Sequence, residues 1–249
     1  MSNQIEQLVE YFRSSNYIVV LTGAGVSTES GIPDFRSPKS GLWNKYSPEI
    51  VEIDYFMRYP EAFYKFLLDG IRDTFNAKPN FTHYFLGKYE KKGKIKSIIT
   101  QNIDGLHQKG GSEKVLELHG NMRKAICMKC GKKFKTEEII KYYKEKNEAP
   151  KCSCGGIIKP DVVFFGEMLP TDTLNEAFSE AERCDLFISL GSSLVVTPAA
   201  LLPHRAKETG SKLAIINLQN TPLDRDADIV INEKVSYILK QLDRKLENV

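Results

Sequence analysis

Short runs of β-branched and apolar residues recur along the chain, and segments of helical periodicity separate them. The runs are Tyr17–Thr22, Ile95–Thr100, Leu186–Leu190, Leu213–Asn217 and Ile229–Ile231. Near the start, Ile5, Leu8, Val9 and Phe12 repeat at helical spacing. Asn80 is placed to cap a helix containing Phe81, Tyr84 and Phe85, and Thr171 one containing Leu174, Ala177, Phe178 and Ala181. Pro198 suits the start of another helix, and Val235, Ile238, Leu239, Leu242 and Leu246 mark the last. Apolar strands alternating with helices predict an α/β fold, a Rossmann-like parallel sheet covered by helices on both faces.

Two stretches break this rhythm. Trp43 to Phe75 is rich in aromatics and reads as helical, with Pro60 suited to a first helical turn. Gly120 to Lys159 holds eleven basic residues against four acidic ones, a local charge of +7, together with a cluster of cysteines. Both read as inserts that build a smaller second domain. The expected division is residues 1–36, 76–119 and 160–249 for the large domain, with a helical insert at 37–75 and a metal-binding module at 120–159. A chain of 249 residues is long enough for this arrangement.

Composition narrows the function classes. The formal net charge of +3 is too small for a surface that binds nucleic acid throughout. No basic region followed by an apolar run opens the sequence, and no apolar run approaches the length of a membrane span, so a cytoplasmic location is expected. No long heptad pattern occurs, and a monomer is the expectation.

Four of the five cysteines are Cys127, Cys130, Cys152 and Cys154. A tight cluster in a reducing compartment points to a metal rather than to disulfides. Four thiolates close a tetrahedral zinc site with no position open for catalysis, so the ion would be structural. Gly131 and Gly155 follow the two pairs, as tight knuckles require, although Cys152-Ser153-Cys154 is one residue shorter than the common spacing. A redox pair and a zinc ribbon that binds nucleic acid are the other readings. Cys184 stands alone before an apolar strand and reads as a small core residue.

The first strand runs into Gly23-Ala24-Gly25-Val26-Ser27, where glycines permit positive φ and close approach of a phosphate. A tight strand-to-helix turn without a ligand fits the same pattern. The dinucleotide fingerprint of oxidoreductases is not met, because Thr28 stands where its third glycine belongs. Gly31-Ile32-Pro33-Asp34-Phe35-Arg36 follows, with Arg36 a candidate phosphate partner and Phe35 a candidate aromatic lid. Gln101, Asn102 and Asp104 sit at the C-terminal end of a strand, where open α/β sheets bind ligands. His119, between an apolar stretch and Gly120, is a candidate general base, since imidazole titrates near ~6.5. Seven residues separate it from Cys127, but the four cysteines already fill a tetrahedral site.

Taken in order, these segments resemble the sirtuin family. The glycine segment and Gly31–Arg36 are similar to its cofactor loop, Thr100-Gln101-Asn102-Ile103-Asp104-Gly105-Leu106-His107 to its second signature and Leu118-His119-Gly120 to its third. The cysteine pairs, Phe164-Phe165-Gly166-Glu167, Gly191-Ser192-Ser193 and Asn217 follow in the family's order, so the match extends from about residue 20 to 235.

The resemblance implies an NAD-dependent protein lysine deacetylase that consumes NAD and carries one structural Zn2+. His119 would be the general base, and Asn102 with Gln101 would contact the nicotinamide ribose. Ile103 and Asp104 would line the nicotinamide pocket. Gly23, Ala24, Gly25, Thr28, Phe35, Arg36, Gly191, Ser192, Ser193, Asn217, Leu218, Lys234 and Val235 would complete the cofactor site. Acetyl-lysine proteins or peptides would be the partners, held by Val163, Phe165, Gly166 and Glu167 through strand addition and flanked by Val195. Leu67 and Gly70 occupy the positions where succinyl-preferring relatives carry Tyr and Arg, so an uncharged acyl group is expected. The products would be free lysine, nicotinamide and 2′-O-acetyl-ADP-ribose. A mono-ADP-ribosyltransferase using the same pocket, a non-catalytic nucleic-acid-binding zinc protein and a dehydrogenase are the alternatives.

Overall fold

A computed structural model describes residues 2–39, 41–70 and 76–248. The end of the helical insert, expected as far as Phe75, lies outside them. In chain order the elements are α1 (Ser2–Ser14), β1 (Ile18–Thr22), α2 (Ile53–Arg58), α3 (Pro60–Gly70), α4 (Phe81–Lys91), β2 (Ile95–Thr100), α5 (Leu106–Lys109), β3 (Val115–Glu117), β4 (Gly120–Cys127) and β5 (Lys133–Lys135). There follow α6 (Thr136–Lys146), β6 (Ile158–Val162), α7 (Thr171–Arg183), β7 (Leu186–Leu190), α8 (Leu201–Glu208), β8 (Lys212–Ile216), β9 (Ile229–Ile231) and α9 (Val235–Glu247). Short 3-10 turns fill the segments after β1 and before α2.

Among the described residues, β3-β2-β1-β7-β8-β9 form a six-stranded sheet with every neighbouring pair parallel. Side chains of a strand alternate between faces, and both faces here are apolar. Ile18 and Val20 of β1 pack with Ile5, Leu8, Phe12, Phe85, Ile238 and Leu239, which places α1, α4 and α9 on one side. Val19 and Leu21 pack with Ala177, Ala181, Leu202 and Ala206, which places α7 and α8 on the other. Cys184 is buried beside the second of these layers, as expected.

The chain steps outward from β1 through β2 to β3, then returns to lay β7, β8 and β9 on the opposite side of β1. The carboxyl ends of β1 and β7 therefore flank a topological switch point, the crevice where doubly wound sheets bind nucleotides.

A second core lies apart from the sheet. Phe56, Phe63, Tyr64, Phe66 and Leu67 of α2 and α3 pack with Met122, Ala125, Ile139, Ile140, Tyr143, Ile158 and Phe164. β5-β4-β6 form an antiparallel sheet beneath them. The Tyr64 hydroxyl donates to Ile158 O at 2.6 Å, and its ring stacks on Tyr143 with centroids 5.2 Å apart. The two inserts, distant in sequence, thus share one interior. The fold is a Rossmann-like sheet with helices on both faces plus a smaller domain of helices and a cysteine-bearing module.

Element boundaries differ from the sequence expectation in a few places. Pro198 follows a cis peptide bond, and α8 begins only at Leu201. Thr171 is the first residue of α7 rather than its cap. Asn80 caps α4 as expected, its side chain accepting the Thr82 N–H at 2.9 Å.

Candidate active site

The switch point opens into a cleft of about 1080 Å³. Its walls come from the carboxyl ends of β1, β2, β7 and β8, from the segment after β6, and from the helical insert. Gly23, Ala24, Gly25, Thr28, Phe35, Arg36, Gln101, Asn102, Ile103, Asp104 and His119 all line it. So do Val163, Phe165, Gly166, Glu167, Gly191, Ser192, Ser193, Asn217, Leu218, Lys234 and Val235. Val195 does not: it stands exposed, and its neighbour Val196 lines the cleft.

The glycine turn corrects one sequence expectation. Gly23 has φ −121°, and Gly25 is not among the positive-φ glycines. Both are needed for room instead. A Cβ on Gly23 would come within 2.7 Å of Gly191 O, and one on Gly25 within 2.8 Å of the same atom. The loops after β1 and β7 touch backbone to backbone, and the Gly25 N–H donates to Gly191 O at 2.9 Å.

Polar side chains at the end of β2 are tied to this turn. The Asn102 amide donates to Gly23 O and to Ser27 Oγ, each at 3.1 Å, which leaves its Oδ1 for the cleft. Ser27 in turn donates to Asp104 at 2.7 Å, and the other Asp104 oxygen accepts the Leu106 N–H at 2.8 Å. The Gln101 amide donates to Ser192 Oγ at 2.8 Å, linking β2 to β7 across β1. Ser27 received no role from the sequence, although it lies within the glycine segment; its contact with residues some 75 positions away has no sequence signal.

His119 follows β3. Its Nδ1 lies 2.9 Å from Gln101 O. A carbonyl can only accept, so Nδ1 carries the proton and Nε2 of the neutral ring keeps a lone pair. Nε2 has no hydrogen-bond partner among the described residues, and the ring lines the cleft. Burial holds the His119 pKa below its ordinary value, and the Gln101 carbonyl offsets part of that effect. A neutral, oriented imidazole with a free nitrogen is suited to accept a proton at neutral pH.

Beyond His119, the segment after β6 runs between two partners. The Val163 N–H donates to His119 O at 2.9 Å. The Phe165 N–H donates to Val51 O at 2.9 Å, and Phe165 O accepts from Ile53 at 3.0 Å. One edge expected for strand addition is therefore already bridged to the helical insert at Phe165. Across the cleft, the main chains of Ser193 and Val195 make no backbone hydrogen bond among the described residues. The apolar lining of the cleft includes Phe63, Phe66, Trp43 and Met122, none of which was assigned a role in the site from sequence, and Trp43 packs against Phe35 with centroids 5.0 Å apart. Leu67 is wholly buried and does not reach the cleft, so Phe63 and Phe66 are the α3 side chains that do.

The four clustered cysteines converge. All four sulfurs lie within 4.8 Å of one another, with Cys127 to Cys154 at 3.5 Å and Cys130 to Cys152 at 3.8 Å. Four sulfurs bound tetrahedrally to zinc at ~2.3 Å stand roughly 3.8 Å apart, so the set fits that ion and leaves no open position. The short second pair is accommodated by a tighter turn. Gly131 N–H closes the first knuckle onto Cys127 O, four residues back, and Gly155 N–H closes the second onto Cys152 O, three residues back. Gly131 and Gly155 both have positive φ, 71° and 80°.

A nucleotide-type crevice at a switch point, an oriented histidine beside it and a thiolate metal module define a class of α/β protein that works on a nucleotide cofactor. The Sir2 family model matches residues 23–198, and the chain belongs to that family. It is 50% identical to the NAD-dependent protein deacetylase of Saccharolobus solfataricus, over 98% of this chain and 96% of that one. Among solved structures it is similar to a Sir2 with a p53 peptide and NAD+, at TM-score 0.91 and 45% identity over 97% of this chain and 98% of that one. It is also similar to a Sir2 in complex with an inhibitor, 2′-O-acetyl-ADP-ribose and a deacetylated p53 peptide, at TM-score 0.87 and 44% identity, over 96% and 98% of the two chains.

Proposed function

We propose that this chain is an NAD-dependent protein lysine deacetylase, whose products are free lysine, nicotinamide and 2′-O-acetyl-ADP-ribose. The observation that carries the reading is the His119 ring, held by Gln101 O with Nε2 free at the nucleotide crevice. Its family relatives and neighbours, which carry that activity in their names or NAD+ and peptide in their structures, support it.

NAD supplies a glycosidic carbon that takes up the acetyl oxygen as nicotinamide leaves. Asn102, through its free Oδ1, and Gln101 would hold the nicotinamide ribose, while Ile103 and Asp104, which line the cleft, would form the nicotinamide pocket. Holding both reactants in one geometry removes much of the entropic part of the barrier. His119 Nε2 would take the proton of a ribose hydroxyl, and Gln101 O stabilises the resulting imidazolium through Nδ1–H. Gly23, Ala24, Gly25, Thr28, Phe35 and Arg36 would receive the pyrophosphate side. Gly191, Ser192, Ser193, Asn217, Leu218, Lys234 and Val235 would receive the adenosine side. The unpaired main chains of Ser193 and Val195 and the segment Val163–Glu167 would grip the peptide between them.

The four cysteines would hold one structural zinc ion. We divide the chain as residues 1–36, 76–119 and 160–249 for the large domain, with inserts 37–75 and 120–159 forming the small one; the two cores support two such units, with β6 carrying the small sheet and its core past residue 160 to Val162 and Phe164. No helix among the described residues is long and apolar enough to cross a membrane. A thiolate zinc site is stable in a reducing compartment, which supports a cytoplasmic enzyme, and we take it to act as a monomer in the transferase and hydrolase classes.

The test is nicotinamide release from NAD with an acetyl-lysine peptide. Peptide-dependent release by the wild type, lost in folded His119→Ala, is the expected result. No release from zinc-loaded wild-type protein would reject the reading.

A further inference from the structure

Lys159 is a lysine 3% exposed, at the second position of β6. Its Nζ lies 2.6 Å from Val162 O, 2.9 Å from Glu167 Oε2 and 3.4 Å from Pro160 O, with the Phe164 ring centroid at 4.4 Å. An ammonium has three N–H donors, and each finds an acceptor here. All three acceptors belong to one stretch, residues 160 to 167. The stretch is closed on itself as well. Glu167 Oε2 accepts the Phe164 N–H at 2.8 Å, and the Glu167 N–H donates to Phe164 O at 3.0 Å.

Stability alone does not explain this arrangement. Replacing a buried ion pair by apolar groups is often neutral or stabilising, whereas a pair can fix one conformation among several. The conformation fixed here is that of the turn whose Val163 and Phe165 face the cleft. Gly166, with φ 90°, bends the chain between them and Glu167. Glu167, expected from sequence to contact the peptide, spends one carboxylate oxygen entirely inside the turn.

We propose that Lys159 is a positioning residue for substrate: its ammonium, clasped by Glu167 and two carbonyls, holds the 162–167 turn in the shape that receives the acyl-lysine peptide. This rests on the deacetylase reading, and two readouts keep the two apart. The first is amide hydrogen exchange at Phe164 and Glu167, which needs no activity. Lys159→Met removes the charge at similar length and should speed exchange at both amides, while Lys159→Arg should restore much of the protection. The second is steady-state nicotinamide release. Lys159→Met should raise KM for the acetyl-peptide by about tenfold or more, the scale of a lost charge-assisted hydrogen bond. KM for NAD should stay within about twofold, a split that general loosening of the fold would not give.

Unchanged exchange in Lys159→Met, or equal changes in the two KM values, overturns the proposal. Should Lys159→Met not fold, Glu167→Gln gives the same tests with a smaller expected effect, and unchanged exchange at Phe164 is again decisive against it. A wild-type protein that releases no nicotinamide defeats the functional reading, and exchange alone then decides the role of Lys159.

Discussion

The imidazoles of His83 and His107 meet behind the cleft with centroids 5.0 Å apart, and both are buried. His83 Nδ1 accepts the Asn80 N–H at 3.1 Å, so its proton sits on Nε2. His107 Nε2 is 2.8 Å from Thr22 Oγ1, which donates to Thr100 Oγ1 at 2.8 Å. Thr100 Oγ1 also accepts the Asn102 N–H at 3.0 Å. A polar layer within the apolar sheet thus supports the strand end that carries Gln101, Asn102 and Asp104.

This pair makes stability pH-dependent above the carboxylate range. Burial pushes the His83 pKa down to about 4, with the Asp104 charge acting the other way. Burial, helped by His83, pushes His107 down to about 3. Below ~6.5 the unfolded rings take up protons that the folded rings refuse. Their contribution is therefore complete above ~6.5 and is lost as pH falls toward the folded values, at roughly 1.4 kcal/mol per pH unit for each ring. The Tm should be flat near neutrality and fall between about pH 6.5 and 5, less steeply in His107→Gln. A Tm unchanged across that interval would contradict the assignment of neutral rings.

Removing the base should spare binding and stop chemistry. We expect His119→Ala to lower kcat by about 10²–10⁴-fold, with KM for NAD little changed. Because burial lowers the His119 pKa, kcat/KM should rise with a midpoint below ~6.5 and then stay level through neutral pH. A midpoint at or above neutrality would mean another group limits the rate.

Metal loss should unfold the small domain first. Structural zinc contributes on the order of 10 kcal/mol to the folding of small modules, and Cys127 and Cys152 are part of the core that α2 and α3 share. Chelation, or Cys127→Ala, should lower Tm, abolish zinc content and remove activity together. Full activity in protein shown to contain no zinc would separate the module from the catalytic site.

The acyl group should be uncharged. Phe63 and Phe66 line the cleft from α3, and neither can pair with a second carboxylate. Burying an unpaired carboxylate costs several kcal/mol, so kcat/KM on an acetyl-lysine peptide should exceed that on the succinyl form by about tenfold or more. The reverse order would show that a cation reaches the acyl pocket from elsewhere.

Much of this was readable along the chain. The runs at Ile95–Thr100, Leu186–Leu190 and Ile229–Ile231 are strands with the expected limits, since residues buried on both faces leave a local apolar record. The cysteine pairs were legible because metal chemistry fixes residue type and spacing over a few positions. The α8 start at Leu201 was not, because its N-cap, Ala200, carries no side chain that could cap the helix and so leaves no local signal. Nor was Leu67, whose burial depends on the shared core of two distant inserts.

The sequence by itself determined the alternating architecture, the metal ligand set and the identities of the polar residues at the strand ends, because each is written in local periodicity or in short motifs. Only the tertiary structure decided what those residues do to one another. That Gly23 and Gly25 are glycine to clear Gly191, that Gln101 sets the tautomer of His119, and that Lys159 and Glu167 close one turn are contacts between segments far apart or differently folded. Such contacts arise from packing, whose distances of a few ångströms no linear spacing encodes.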